Sequence, residues 1–303
     1  MKGIGNTPLI KLERLASPDC AEVYVKWEGA NPTGSMKDRM ALSMIEGAER
    51  RGDLRPGGRV VEYTGGSTGS SLAMVCAARG YHALFVSSNA FSEEKLQCMR
   101  AFGAELELVQ AEGGILTAEV INRMIARTRD LAFEPGTFWP DQVNNRDNVE
   151  GYHGMAREII AQTDGPIDEF VMAAGGGGCI SGNAEVLKAL DPSTRIVAVE
   201  PDRVRNLSGG DTRGTHKLEG IGLSFVPSIL RRDLIDAVMP VTDEQAFWGA
   251  RQLARTEGLL AGITSGANVW AALARARELG PGKTVVTVII DTGLRYLSGD
   301  LYR

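Results

Sequence analysis

Arg59-Val60-Val61-Glu62-Tyr63-Thr64-Gly65-Gly66-Ser67-Thr68-Gly69-Ser70 is the stretch whose reading decides the fold. Arg59–Tyr63 is a β-branched run of strand length, and Thr68–Arg79 carries a helical pattern. Between them lies a turn of glycine and small hydroxyl residues. A strand that passes through a glycine turn directly into a helix is the building unit of parallel α/β sheets.

The unit recurs outward in both directions. Further strands are expected at Val23–Trp27, Ala83–Ser87, Glu105–Val109, Phe170–Ala173, Ile196–Val199, Ala237–Val241 and Thr284–Ile290. Helices are expected at Asp38–Arg51, Ser92–Phe102, Leu116–Asp130, Asn148–Gln162, Cys179–Leu190, Asp243–Glu257 and Ala267–Leu279. Thr242-Asp243, followed by Glu244, and Ser92, with Lys95 downstream, read as helix starts. This alternation predicts a doubly wound α/β fold with mainly parallel sheets covered on both faces. At 303 residues, two such sheets fit better than one. Gly113-Gly114 and the Asn- and Asp-rich stretch Trp139–Asn148 punctuate the middle, which places a domain change near residue 145.

Composition narrows the function. Hydrophobic residues make up 43% of the chain and charged residues 23%, values that support a full buried core. The net charge of −5 argues against an electrostatic nucleic-acid surface. No apolar run approaches the ~20 residues of a membrane helix, and Met1–Pro8 lacks a basic start and apolar core, so a cytoplasmic location is expected. The four cysteines form no C-x-x-C pair, and the three histidines have no metal-ligand spacing, so neither a disulfide framework nor a metal site is expected. A phosphate-binding G-x-x-x-x-G-K-[ST] loop and a G-x-S-x-G elbow are both absent.

Three loops stand where α/β folds bind ligands, between a strand end and a helix start. The first is Asn31-Pro32-Thr33-Gly34-Ser35-Met36-Lys37-Asp38-Arg39. Lys37 opens a helix, where the positive end of the dipole disfavours an ammonium and suits a nucleophilic amine. The second, Thr64–Ser70, offers backbone amides and hydroxyls to an anion the size of a carboxylate or phosphate. The third, Gly175-Gly176-Gly177-Gly178-Cys179, spends four consecutive glycines, which suits backbone wrapped around a phosphate. Taken singly, each has a plain alternative: a solvated lysine in a turn, an ordinary N-cap at Ser67 or Thr68, or a dinucleotide fold with Glu200 on the ribose. The dinucleotide motif itself is missing, since G-x-G-x-x-G run from Gly175 or Gly176 ends on Ile180 or Ser181. A lysine nucleophile, a carboxylate loop and a phosphate loop together describe pyridoxal phosphate holding an amino acid.

The chain resembles the cysteine synthase (O-acetylserine sulfhydrylase) and cystathionine β-synthase family, pyridoxal-phosphate enzymes of fold type II. Gly5-Asn6-Thr7-Pro8-Leu9 is similar to its opening G-N-T-P-L, and Asn31–Arg39 to its lysine segment. Gly175–Cys179 stands where the family has G-T-G-G-T. His216-Lys217-x-x-Gly220-Ile221-Gly222 resembles H-K-I-x-G-I-G, Gly262-Ile263-Thr264-Ser265-Gly266-Ala267 resembles G-I-S-S-G-A, and Asp291–Ser298 resembles D-x-G-x-R-Y-L-S. Six segments in order, spread almost end to end, make the resemblance specific.

The resemblance implies roles. Lys37 is the Schiff-base lysine and the base that removes the α-proton. Ser67, Gly175, Gly176, Gly177, Gly178, Cys179 and Thr264 contact the cofactor, with Thr264 at the ring nitrogen. Thr64, Gly65, Gly66, Ser67, Thr68, Gln142 and Gly220 bind substrate, Gln142 through its carboxylate. The implied reaction is β-replacement on O-acetylserine by sulfide through an aminoacrylate, with a cysteine desulfhydrase or other β-elimination enzyme as the alternative and a non-catalytic binding relative as a distant third. The implied domains are a smaller mobile substrate-binding domain, 40–145, and a larger cofactor-binding domain, 1–39 and 146–303. The implied assembly is a homodimer, with serine acetyltransferase as a further partner. Three positions depart from the family: its T-S-G-N-T loop is Thr64-Gly65-Gly66-Ser67-Thr68 here, so a hydroxyl is lost at Gly65 and an amide at Ser67, and Cys179 replaces a threonine.

Overall fold

The computed structural model describes residues 1–223 and 225–303. The chain forms two compact units, one of Met1 and Lys37–Asn148, the other of Lys2–Met36 and Val149–Arg303.

The first unit is built on β3 (Arg59–Tyr63), β4 (His82–Ser88), β5 (Glu105–Val109) and the short β6 (Thr137–Phe138). They form a wholly parallel sheet in the order β5-β4-β3-β6. Its helices include α1 (Lys37–Arg51), α2 (Ser67–Arg79), α3 (Glu93–Ala101) and α4 (Ala118–Ala132), while the division between the units falls within α5 (Arg146–Glu150). Val61, Val86, Val120, Met124 and Leu131 form a core against which Tyr63, Phe91 and Trp139 pack. Burying a side chain of the Val, Leu or Met class contributes roughly 1.5–3 kcal/mol, so this small core sets the sheet's register.

The second unit holds β1 (Leu9–Lys11), β2 (Glu22–Trp27), β7 (Glu169–Ala173), β8 (Arg195–Pro201), β9 (Ala237–Val241) and β10 (Thr284–Ile289). The strand order is β1-β2-β10-β7-β8-β9, parallel throughout except for β1 on β2. Its helices are α6 (His153–Gln162), α7 (Gly178–Leu190), α8 (Asp243–Gln252) and α9 (Ile263–Leu279). All five residues of β7 are buried, as a central parallel strand requires. Gly266 lets α9 meet α8 backbone to backbone, since a β-carbon there would lie 2.1 Å from the Ala246 carbonyl oxygen.

Several expectations are corrected. The strands at Leu9–Lys11 and Thr137–Phe138 were not foreseen, because two or three residues carry no readable alternation. The helix expected over Asn148–Gln162 is interrupted: α5 ends at Glu150, Tyr152 N–H turns back to the Val149 carbonyl at 3.1 Å, and α6 restarts at His153. Gly151 sits at the break, where its missing side chain weakens helix propagation. Ser92 precedes α3 without a side-chain cap, whereas Thr242 forms a full capping box with Gln245. The last turn after α8, Leu253–Glu257, is π-helical.

Candidate active site

The smaller unit gathers the carboxylate-binding candidates. At the end of β3, Thr64 N–H bonds the Val86 carbonyl at 3.0 Å. Its Oγ1 accepts from Gly69 N–H at 3.1 Å and, more weakly, from Gly66 N–H at 3.5 Å. Gly66 is the N-cap of α2, so neither Ser67 nor Thr68 caps the helix; Ser67 is its first residue. Thr68 is turned to another use. Its hydroxyl donates to Gln142 Oε1 at 2.8 Å. With its Oε1 held by Thr68, Gln142 has Nε2 donors to offer, the chemistry that suits a carboxylate. Gly65 lies under Phe91, and a β-carbon at residue 65 would stand 2.0 Å from that ring.

Gln142 is itself held from three sides. Its N–H donates to Glu62 Oε2 at 3.2 Å, and its carbonyl accepts from Asn148 Nδ2 at 2.6 Å. Glu62 is fully buried and also accepts from Trp139 Nε1 and Tyr63 N–H, both at 3.0 Å. Burial pushes its carboxyl up to about 8, against the pull of these donors. Burial, with Glu62 alongside, pushes the Tyr63 hydroxyl up to about 12. Glu62 and Trp139 were missed from sequence. The available signal was a lone carboxylate inside the β-branched run Arg59–Tyr63, in a strand type that is buried on both faces.

Lys37 is the first residue of α1 and is half-buried. Next to it, Asp38 is fully buried and accepts from Ser71 Oγ at 2.6 Å, which pins the first turn of α1 to α2.

The larger unit holds the glycine loop. Gly175 pairs with Ile221 in an isolated bridge, and a β-carbon at Gly175 would meet the Gly220 carbonyl oxygen at 2.0 Å. Gly177 caps α7 at φ +82°, with the Leu230 backbone close by. A β-carbon at Gly176, between them, would meet only open space. The loop is thus closed at both ends and open in the middle. The first-turn amides of α7 have no intrahelical acceptor, and that turn carries no acidic residue. This donor set fits a phosphate dianion. Cys179 is buried; Asn183 Nδ2 donates to its carbonyl at 2.8 Å and lies 3.6 Å from its Sγ. Thr264 Oγ1 accepts from Glu219 N–H at 3.0 Å and donates to the Glu219 carbonyl at 2.9 Å, tying the start of α9 to the bend before Gly220. Among the described residues no cluster of His, Cys, Asp and Glu has the makings of a metal site.

A family profile described as pyridoxal-phosphate dependent enzyme matches residues 1–291. The chain belongs to that family. It is an enzyme, and its cofactor is pyridoxal 5'-phosphate. The cysteine synthase of Staphylococcus aureus is 44% identical over 301 residues, covering 99% of this chain and 95% of that protein. Among solved structures, an O-ureido-L-serine synthase superposes with a TM-score of 0.92 at 37% identity, covering 99% of this chain and 93% of that one. A cysteine synthase from Entamoeba histolytica gives 0.93 at 34% identity, covering 99% and 89%. Fold type II is therefore the fold, as the sequence motifs implied.

Proposed function

We propose that this enzyme, which carries out pyridoxal-phosphate-dependent β-replacement, joins O-acetylserine and sulfide to give cysteine and acetate. The observation that carries the reading is the Thr68–Gln142 bond, which joins the Gln142 side-chain amide to the first turn of α2 and the β3–α2 loop, a donor set suited to a carboxylate. Near-full-length similarity to proteins named cysteine synthase supports the choice of reaction.

The cofactor, when bound, supplies an electron sink that lets the substrate's Cα–H bond break. The chain supplies the rest. Lys37 Nζ holds the cofactor and takes the Cα proton. The amides of Gly175, Gly176, Gly177, Gly178 and Cys179 hold its phosphate. Thr64, Gly65, Gly66, Ser67, Thr68 and Gln142 hold the substrate carboxylate, Ser67 adds a contact to the cofactor, and Gly220 lies against the substrate. Thr264, a neutral hydroxyl, gives the ring nitrogen no proton. Its hydrogen already goes to the Glu219 carbonyl. On the same reading the protein acts as a cytoplasmic homodimer that admits serine acetyltransferase; no helix among the described residues is long and apolar enough to cross a membrane.

The test is the visible spectrum of the purified holoenzyme. Adding O-acetylserine is expected to move the cofactor band to longer wavelength, and sulfide to restore it with release of cysteine and acetate. If cysteine alone moves the band and sulfide is released, the reaction runs as elimination instead. A protein that takes up no pyridoxal phosphate overturns the reading.

A further inference from the structure

We infer that Glu62 is a positioning residue for the substrate carboxylate: by accepting the Gln142 N–H, its buried carboxyl sets Gln142 where its side-chain amide meets the amino acid. The inference rests on the carboxylate reading of Gln142 and extends it to a residue that touches no substrate.

The argument starts from the cost of the arrangement. A carboxyl group with no exposure is among the most expensive groups to bury, and it persists only where its oxygens are satisfied. Its hydrogen-bond partners are N–H donors, Trp139 Nε1 and Tyr63 N–H on Oε1 and Gln142 N–H on Oε2, while the nearby Asp141 carboxylate opposes its ionisation. The two oxygens divide the work. Oε1 faces the strand's own backbone and an indole that packs on the unit's core. Oε2 takes the Gln142 N–H itself, while Oε1 reaches the same segment only through the Trp139 indole. That segment is costly to hold, because Asp141 sits at φ +48°, in the left-handed region that side chains other than glycine rarely adopt. Two anchors hold Gln142 on either side of its peptide planes, Glu62 on its N–H and Asn148 on its carbonyl. Its side chain then lands on Thr68 in α2, the helix that begins a few residues beyond Glu62 in the same chain. One carboxyl therefore ties together both halves of the carboxylate receptor, the β3–α2 loop and Gln142.

Glu62→Gln separates this role from simple support. The glutamine keeps the shape and keeps an oxygen for Trp139 and Tyr63, but turns an NH2 toward Gln142 N–H, so that a donor faces a donor. In steady-state assays of the holoenzyme with O-acetylserine and sulfide at pH 8.5, above the value of about 8 at which the Glu62 carboxyl loses its proton so that both its oxygens accept, Glu62→Gln is expected to raise KM for O-acetylserine five- to tenfold while kcat changes less than twofold. Trp139→Phe, which removes the indole donor on Oε1 but keeps an aromatic ring beside Tyr63 and leaves Oε2 free to accept from Gln142, is expected to leave KM unchanged. In a Gln142→Ala background, Glu62→Gln should add nothing further to KM. An unchanged KM in Glu62→Gln overturns the inference, as does a full additional rise on top of Gln142→Ala. Should Glu62→Gln not fold, Glu62→Asp keeps the acceptor but shortens its reach, and the same rise in KM is expected at reduced size. If the wild-type enzyme does not turn over O-acetylserine, the proposed function fails by itself; Glu62 is then judged by titrating the cofactor band with L-cysteine, where Glu62→Gln must weaken binding by the same factor.

Discussion

The Phe91 ring occupies the place of a side chain at residue 65: a β-carbon on Gly65 would lie 2.0 Å from ring carbons Cγ and Cδ2. The family resemblance implies a serine at this position, and here the space is filled by an aromatic ring. The loop keeps its backbone amides and gives up one hydroxyl. Gly65→Ser is expected to lower stability by about 1–3 kcal/mol, because the ring must move off its packing on the core of the smaller unit. Phe91→Ala combined with Gly65→Ser should recover most of that loss and lower KM for O-acetylserine. Urea unfolding with steady-state kinetics checks both.

Glu62 makes stability depend on pH. Its carboxyl titrates at about 8 in the folded chain against an ordinary value near 4.5. The folded state thus holds a proton that the unfolded state has lost, and unfolding free energy falls as pH rises. The contribution is whole below pH 4.5 and gone above about 8, with a slope of roughly 1 kcal/mol per pH unit at its steepest. Comparing wild type with Glu62→Gln by urea unfolding from pH 5 to 9 isolates it, since only the wild type should show this slope.

Gly177 adopts φ +82° beside the Leu230 backbone. Gly177→Ala forces a β-carbon into the left-handed region, at a cost of roughly 1–2 kcal/mol, and against Leu230. The loop should open and hold phosphate less well. Dialysis of the holoenzyme, followed by its visible absorbance, is expected to show faster loss of pyridoxal phosphate than in wild type.

Lys37→Ala removes the amine assigned to the cofactor linkage and to the Cα proton. Turnover is expected to drop by at least about 10³-fold, within the range for loss of a general base. Borohydride reduction followed by mass spectrometry should find the cofactor on Lys37 in wild type and on no residue in the variant.

The order of strands and helices was written in the sequence, because periodicity and glycine turns are local. The strand boundaries Arg59–Tyr63, Glu105–Val109 and Ala237–Val241 follow directly from them. So does the setting of Lys37 at a helix start and of Gly175–Gly177 between β7 and α7. Their wording also resembles one enzyme family, which supplied the chemistry. What the sequence alone left open depends on pairs far apart along the chain. Glu62 meets Trp139 across 77 residues and Gln142 across 80. The occupation of residue 65's side-chain space by Phe91, the exchange between Thr264 and the Glu219 backbone, and the antiparallel β1 are likewise set by which elements pack together. No local pattern marks such partners, since each is selected by the space and the unmet hydrogen bonds that the folded core leaves, and those exist only once the chain has folded.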